Sequence, residues 1–238
     1  MKSTSQHRLA GHFVRLALVS AVGLAGNAFA QQSPFYIGAA IGSSQYEFDF
    51  RGQVRELSTG SLPVTRASLK EDTDTGYKLT LGYQFTSNIA VELDYVDLGK
   101  IGSSYEFNGF GRYTRDATYK VSGFNLSGVF LQPVNEQFSV YARAGMLYSK
   151  YRYSESGENF PAFNPSPEPP IHSFSAPDLK RAKFSYGLGV GYKVTPAISL
   201  RLGVDRYTEI GNVIAPTETG NGKFDNVDLY SLGIVFKF

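Results

Sequence analysis

The chain has 238 residues, with 23 Lys and Arg against 21 Asp and Glu and a net charge of +2. Cys is absent, which excludes a disulfide framework and a thiolate metal site. The near balance of charge excludes the basic field typical of nucleic-acid binders, so no nucleic-acid partner is expected. Tyr (16) and Phe (18) are frequent, whereas Trp is absent.

The first thirty residues predict a cleaved secretory signal peptide. Lys2, Arg8 and Arg15 form a positive region, residues 13–24 are apolar, and Ala28-Phe29-Ala30 is a small-x-small cleavage site. An uncleaved anchor is the alternative, although the apolar run is too short to span a membrane. We therefore divide the chain into a leader, 1–30, and one domain, 31–238. That domain has 20 bases and 21 acids, so the excess of bases belongs to the leader.

The domain contains eight segments in which large apolar residues alternate with small or polar ones. Such alternation is typical of strands with one apolar and one polar face. In chain order the segments are 35–46, 73–85, 89–98, 119–131, 138–151, 182–194, 198–207 and 227–238. No run of eighteen apolar residues follows the leader, so no membrane-spanning helix is expected.

The connections between these segments alternate strictly in length. Residues 86–88, 132–137 and 195–197 are short turns, whereas 47–72, 99–118, 152–181 and 208–226 are long and polar. Outer-membrane barrels have this asymmetry, with short periplasmic turns and long outer loops. The sequence therefore predicts an all-β fold: a closed, antiparallel, eight-stranded transmembrane β-barrel in the bacterial outer membrane. The alternative is a soluble barrel of the lipocalin type, in which the apolar faces point inward and the polar faces outward. The glycines on the polar faces and the aromatic residues at the segment ends favour a barrel whose apolar faces meet lipid.

Charged residues occupy the polar faces of several segments. A narrow barrel is filled by side chains, so a charge inside it requires an opposite partner. Counted upward from the short turns, acids and bases fall at matching heights: Glu92 with Arg201, Asp94 with Arg143, and Lys78 with Asp205. We predict an interior ion-pair network. The alternative is that these residues only line a wet lumen.

Four blocks of sequence resemble the OmpA-like eight-stranded transmembrane family: FYIGAAIGSSQY, GYQFTSNIAVELDYVDLG, GYKVTPAISLRLGVDRYTEIG and the closing LYSLGIVFKF. The resemblance covers the domain except its loops, and its build is closest to barrel-only surface proteins of the OmpX and opacity-protein type. It places the family's interior acid at Glu92 and its arginines at Arg143 and Arg201. A further interior lysine and glutamate of the family would fall at Val129 and Gly191, so that pair is missing here.

The resemblance also implies how the chain is assembled. In this family a C-terminal strand that ends in an aromatic residue is the signal read by the barrel-assembly machinery, after periplasmic chaperones have delivered the chain. The residues that match this signal are Tyr230, Ile234, Phe236 and Phe238.

The expected role is structural or surface-exposed: membrane integrity, with outer loops that meet lipopolysaccharide, host or phage. Lys120, Lys180 and Arg181 are candidate lipopolysaccharide contacts because they cluster near the outer rim. A narrow, low-conductance pore and an adhesin are the alternatives. We expect no enzyme, because His172 is the only histidine after the leader and is expected to lie off any strand. No cofactor or metal site is expected, since no spacing matches a ligand pattern.

Overall fold

In the computed structural model the described residues are 33–48, 64–108, 111–161, 171–175, 179–214 and 221–238. The predicted signal peptide lies outside these ranges. The described chain is all-β, with ten strands: β1 (Phe35–Phe48), β2 (Val64–Glu71), β3 (Thr73–Gln84), β4 (Ile89–Asn108), β5 (Gly111–Pro133), β6 (Phe138–Pro161), β7 (Ile171–Ser175), β8 (Leu179–Lys193), β9 (Ile198–Ile214) and β10 (Asn221–Lys237). Over these ranges no helix is long and apolar enough to cross a membrane.

Eight of the strands form a closed antiparallel barrel, which confirms the predicted fold class. The order around the barrel is β1, β3, β4, β5, β6, β8, β9 and β10. The first and last strands pair along thirteen positions, from Tyr36 opposite Lys237 to Phe48 opposite Phe224. Closure leaves the barrel without an unpaired edge, as hydrocarbon surroundings demand.

One end of the barrel carries the three tight turns. The Thr86 hydroxyl accepts a hydrogen bond from the Ile89 amide at 3.0 Å, and Thr195 caps the amide of Ile198 in the same way at 3.0 Å. In the remaining turn Asn135 Oδ1 accepts from the Phe138 amide at 2.7 Å. These side chains stabilise turns that the backbone alone would leave unsatisfied.

At the other end the strands run further than predicted. The long connection expected over 99–118 is wrong: β4 and β5 pair out to Asn108 opposite Arg112. β6 likewise extends to Pro161. β2 pairs with the upper part of β4, and β7 with the upper part of β6. His172 therefore lies on a strand, opposite Gly157, which corrects the expectation that it lies off any strand.

β-Bulges mark the level at which the barrel strands pass into these extensions. The register shifts between Asp97 and Lys100 in β4, and Gly99 there has a φ of 76°. A side chain at this φ is unfavourable, and a Cβ on Gly99 would also lie 2.6 Å from Asp74 Oδ2. Beyond the bulge the alternation changes phase, so that Ile101 turns inward and is 1% exposed.

The outer wall is apolar between two bands of aromatic side chains. On the side of the tight turns the band consists of Phe35, Tyr83, Phe85, Phe138, Tyr192, Phe236 and Phe238. We call the band near the bulges the outer girdle; it consists of Tyr77, Tyr95, Phe124, Tyr148, Phe184, Tyr186 and Tyr230. Leucines between the bands are exposed, with Leu188 at 63% and Leu202 at 57%. A wall this apolar matches the band that faces lipid in membrane barrels.

Candidate functional site

Glu92 lies at the centre of the barrel interior and is 1% exposed. Its carboxylate is 2.5 Å from Arg201 Nη1 and 3.4 Å from Arg143 Nη1. The Tyr36 hydroxyl donates a third bond to it at 2.7 Å. The carboxylate is thus satisfied by two cations and one hydroxyl, which offsets the cost of removing it from water.

Arg143 connects Glu92 to the other two interior acids. Its guanidinium contacts Asp94, donates to the Ser127 hydroxyl at 3.0 Å, and lies 3.4 Å from Asp205 Oδ1. Lys78 Nζ completes the layer at 2.6 Å from Asp205 Oδ2. The structure thus brings together all six charged residues singled out in the sequence. The layer contains three acids and three bases and is neutral.

Glycines on neighbouring strands make room for this layer. Arg201 lies opposite Gly191 on one side and Gly233 on the other, and Glu92 lies opposite Gly82. Larger inward residues at these positions would compete with the charged side chains for the narrow interior. The glycines on the polar faces of the predicted strands therefore have a packing role here.

Two tyrosines enclose the guanidinium of Arg201. The centres of the Tyr36 and Tyr141 rings are each 5.3 Å from Arg201 Cζ, within the range of a cation–π contact. Each tyrosine packs directly against a glycine: a Cβ on Gly82 would be 2.1 Å from Tyr36, and one on Gly189 would be 2.4 Å from Tyr141. The tyrosines therefore close the interior beside the ion pairs.

We expect Gly82→Ala to destabilise the barrel by about 1–3 kcal/mol, because the added methyl group overpacks against the Tyr36 ring. Gly128→Ala is the matched control, since a Cβ there meets nothing within 4 Å. The control should be neutral or stabilising by up to about 1 kcal/mol. Denaturant unfolding of protein in phospholipid vesicles measures both. Equal effects of the two substitutions would show that Tyr36 is not held against Gly82.

A second, apolar layer fills the interior towards the bulges. Its members are Tyr46, Val96, Leu98, Ile101, Ala117, Tyr119, Val121, Leu147, Tyr151, Tyr207, Ile210, Val227 and Leu229. Asn125 borders the charged layer: its amide donates to Asp94 at 3.3 Å, and its carbonyl accepts from the buried Ser185 at 2.6 Å. This layer was not predicted from the sequence, although its residues lie on the inward register.

The interior encloses a cavity of about 20 Å³ beside the ion pairs. Arg143, Arg201 and Lys78 line it, together with the small residues Gly38 and Gly233. A volume of this size holds about one water molecule.

The candidate rim bases do not share one face. Lys120 faces outward above the outer girdle, 3.0 Å from Asp97 Oδ2, and Tyr77 donates to the same carboxylate at 3.0 Å. The hydrogen bond and charge of Asp97 raise the pKa of Lys120 above its ordinary value. Lys180 faces outward as well. Arg181 is exposed, but it lies opposite the buried Ser149 and therefore on the inward register, so it does not lie on the lipid-facing wall with the other two.

The four residues of the predicted assembly signal lie on the wall of the closing strand or just after it. Tyr230 and Ile234 face outward, and the rings of Phe236 and Phe238 pack edge to face at 5.2 Å. The Ser33 amide donates to the carbonyl of Phe238 at 2.8 Å, which joins the residues just before the first strand to those just after the last. Recognition of this strand by the assembly machinery stays a prediction.

A family model described as OmpA-like transmembrane domain matches residues 30–238. The chain belongs to this family. It is therefore an outer-membrane β-barrel, as the fold and the apolar outer wall indicate. Members of the family are structural or transport barrels rather than enzymes, and the absence of enzymatic activity in this chain stays a prediction.

Solved structures similar to this chain are also outer-membrane barrels. Neisserial surface protein A is 15% identical, with 87% of this chain and 99% of that one covered and a TM-score of 0.45. The attachment invasion locus protein Ail of Yersinia pestis is 15% identical over 85% and 98%, with a TM-score of 0.41. OprG from Pseudomonas aeruginosa is 17% identical over 87% and 97%, with a TM-score of 0.44. No curated protein matches the chain.

Proposed function

We propose that the protein is a sealed outer-membrane barrel with a structural and surface role. It contributes to membrane integrity, and its outer strands and loops meet lipopolysaccharide, host surfaces or phage. The observation that carries the proposal is the filling of the interior by two layers, one of paired charges and one of apolar side chains.

Both layers oppose the passage of ions. To pass the charged layer an ion must separate buried pairs, such as Lys78 and Asp205, whose side chains are 8% and 7% exposed. Leaving one partner of such a pair unpaired costs several kcal/mol. The second layer consists mainly of hydrocarbon, and the hydroxyls of its four tyrosines replace only a small part of the water that surrounds an ion. We infer that the barrel supports the membrane and does not conduct steadily.

The extended strands support the surface role. Beyond the outer girdle, β4, β5 and β6 continue as one paired sheet. β2 pairs with one edge of this sheet, on β4, and β7 pairs with the other edge, on β6. A paired sheet fixes the base of each loop, and loops carried by a rigid scaffold are where contacts with other molecules concentrate. The tips predicted to make such contacts lie largely outside the described residues.

A narrow pore is the second candidate, favoured by one observation. The cavity beside Arg143 and Arg201 adjoins a wall made of small residues, including Gly38 and Gly233. If the arginine side chains moved, a passage would follow this wall. The alternative therefore requires the ion pairs to separate, whereas the main proposal requires them to persist.

Single-channel recording in planar bilayers discriminates between the two. We expect no steady openings from protein whose folding is verified in the same sample by a shift in gel migration on boiling. The variant Tyr36→Ala/Tyr141→Ala serves as a comparison, since it removes both rings that enclose Arg201 and should increase conductance if they help to seal the interior. Steady openings of the unmodified protein would contradict the proposal.

A further inference from the structure

An open groove crosses the lipid-facing wall over six neighbouring strands, from β5 to β1. Its volume is about 860 Å³, within the range of pockets that hold small ligands. Its two banks are rows of outward side chains that pair from strand to strand. The lower bank consists of Gln132, Val140, Val190, Leu202, Leu232 and Ile41. The upper bank lies two residues further from the tight turns, from Phe130 on β5 to Tyr230 on β10. We call this cleft the wall groove.

The floor of the wall groove is backbone. It is the row between the two banks, in which Gly189, Gly203, Ser231 and Gly42 follow Tyr141 from strand to strand. Tyr141 and Ser231 are buried, so the side chains of this row point into the barrel. From inside, Tyr141 closes the floor, because a Cβ on Gly203 would lie 2.3 Å from its hydroxyl oxygen. The wall groove is therefore separate from the barrel interior and opens only towards lipid.

The wall groove climbs through the membrane at an angle. Along the lower bank the distance from the tight-turn end of the strand grows by one residue at each step: Gln132 is one residue from the end of β5, Leu202 is four from the start of β9, and Ile41 is six from the start of β1. This gain of five residues is about 16 Å along the strands. At a strand tilt of about 45° it is about 12 Å in depth. The groove thus rises from the interface beside the tight turns towards the middle of the membrane.

The dimensions of the wall groove match those of a lipid chain from one leaflet. Five strand spacings of about 4.8 Å give a length of about 24 Å. The hydrocarbon of one leaflet is about 15 Å thick, half of a core of about 30 Å. The lower bank begins at the polar Gln132 and is apolar from Val140 onwards. A chain that enters at the interface can follow the groove to the middle of the membrane, whereas a chain from the other leaflet would have to cross the midplane to reach its lower half.

Packing selects the occupant of the wall groove. Within a bilayer, hydrocarbon gains no hydrophobic stabilisation by moving from other lipid chains onto the protein. A cleft that is filled incompletely still loses dispersion contacts along its banks and floor, and a flexible chain laid along it recovers them. A second barrel would approach with a convex wall, which follows an inclined cleft less closely than a single chain does.

We propose that the wall groove holds an acyl chain of a phospholipid from the periplasmic leaflet, the leaflet on the side of the tight turns. The ester region of this lipid then lies beside Gln132, and the end of the chain lies near Ile41. The inference goes beyond the structural and surface role proposed above. It requires the lipid-facing wall but does not depend on a sealed interior.

Native mass spectrometry of the folded full chain in detergent micelles, titrated with palmitoyl-oleoyl phosphatidylethanolamine, tests the site. We expect one lipid to bind saturably to the unmodified protein. Ala142 lines the groove, and Ala142→Phe should lower the occupancy by about fivefold, the effect of losing roughly ten atom contacts with the chain. Ala144→Phe is the matched control: Ala144 lies two residues further along β6 on the same outward register, is exposed, and lies outside the groove. It should change the occupancy by less than about twofold.

A lipid with the same headgroup and short chains separates chain binding from headgroup binding. Dihexanoyl phosphatidylethanolamine should bind at least about tenfold more weakly, because its chains fill only part of the groove. A gel shift on boiling verifies that each variant is folded. Equal binding of the short-chain lipid, or equal loss in Ala142→Phe and Ala144→Phe, would overturn the proposal. So would a dimer without bound lipid that Ala142→Phe abolishes, since a second copy would then occupy the groove.

Photo-crosslinking in intact outer membranes tests the source of the chain, because lipopolysaccharide and phospholipid occupy different leaflets there. Benzoylphenylalanine at Leu202 should yield several-fold more phospholipid adduct than at Leu81, the matched control. Leu81 is also an outward leucine, 51% exposed against 57% for Leu202, and lies three residues from the end of β3 and outside the groove. Equal yields, or adducts of Leu202 with lipopolysaccharide, would contradict the assignment. Steady channel openings would contradict the sealed barrel and leave these results unaffected.

Discussion

Arg143→Ala should destabilise the folded barrel by about 3–5 kcal/mol, the effect expected when one member of a buried charge network is removed. Arg143 contacts Glu92, Asp94 and Asp205, and its side chain is 4% exposed. The substitution leaves the layer with one uncompensated acid. Equilibrium unfolding in denaturant, with the protein inserted in phospholipid vesicles, measures the free energy.

Two variants make this result specific. Arg206→Ala removes a partly exposed pair at the outer rim and should cost no more than about 1 kcal/mol. Arg143→Met/Asp94→Asn removes one base and one acid together, and its cost should fall below the sum of the single changes by about 0.5–3 kcal/mol. Unchanged stability of Arg143→Ala would show that the charges only line a wet lumen.

Leu202→Arg should destabilise the barrel by about 2–4 kcal/mol, the cost of an arginine near the midplane on the lipid face. Leu202 lies on β9 between the two aromatic bands and is 57% exposed. On a water-soluble barrel the same substitution would have almost no effect on stability, because replacing a solvent-exposed leucine removes little stabilising packing. The variant therefore tests which solvent covers the outer wall.

Ser154→Arg is the control for depth. Ser154 lies on β6, six residues beyond Tyr148 of the outer girdle and on the same outward register, and is exposed. Its substitution should cost no more than about 1 kcal/mol, because the penalty for a charge falls to near zero outside the hydrocarbon. Equal effects at Leu202 and Ser154 would contradict a lipid-facing wall.

Strand alternation in the sequence was sufficient to predict all eight barrel strands, and several predicted ends coincide with irregular backbone. The third segment was ended at residue 98, inside the bulge between Asp97 and Lys100. The seventh was ended at residue 207, two residues before Glu209, which has a φ of 47°. A bulge inverts the phase of the alternation, so a continuous strand presents two unrelated patterns and its outer part is taken for a loop.

The outer parts of β5 and β6 were missed for another reason. Their sequences, such as GRYTRDAT at the start of β5, are rich in charged and small polar residues. Beyond the membrane one face of the sheet meets water, so the apolar half of the alternation weakens while the pairing continues. Composition therefore indicated loops where the strands in fact continue.

The interior pairs could be anticipated because three tight turns give neighbouring hairpins a common reference level. Counting from the turns matched Arg201 with Glu92, and the two lie 2.5 Å apart. The same count assigned Arg143 to Asp94 alone, whereas the structure places it among three acids. Because the strands tilt, residues at different counts from the turns can lie at the same position along the barrel axis. A count of residues along each strand does not include this tilt.

The placement of the candidate rim bases depends on register in the same way. Lys180 and Arg181 are adjacent in sequence and were grouped as one candidate site, but successive residues of a strand point to opposite faces. Which of the two faces outward becomes apparent only when β6 and β8 are aligned, because Arg181 then lies opposite the buried Ser149.

Spin labels along β10 test the central claim most directly, namely a lipid-facing barrel with a sealed interior. The chain has no native Cys, so single cysteines at residues 230–236 can be labelled one at a time and their accessibility to oxygen and to a water-soluble nickel reagent measured in bilayers. We expect oxygen accessibility to peak at Tyr230, Leu232 and Ile234, with little nickel accessibility at Ser231 or Gly233. High nickel accessibility at the inward positions would contradict the sealed interior, and high nickel accessibility at the outward ones would contradict the lipid-facing wall.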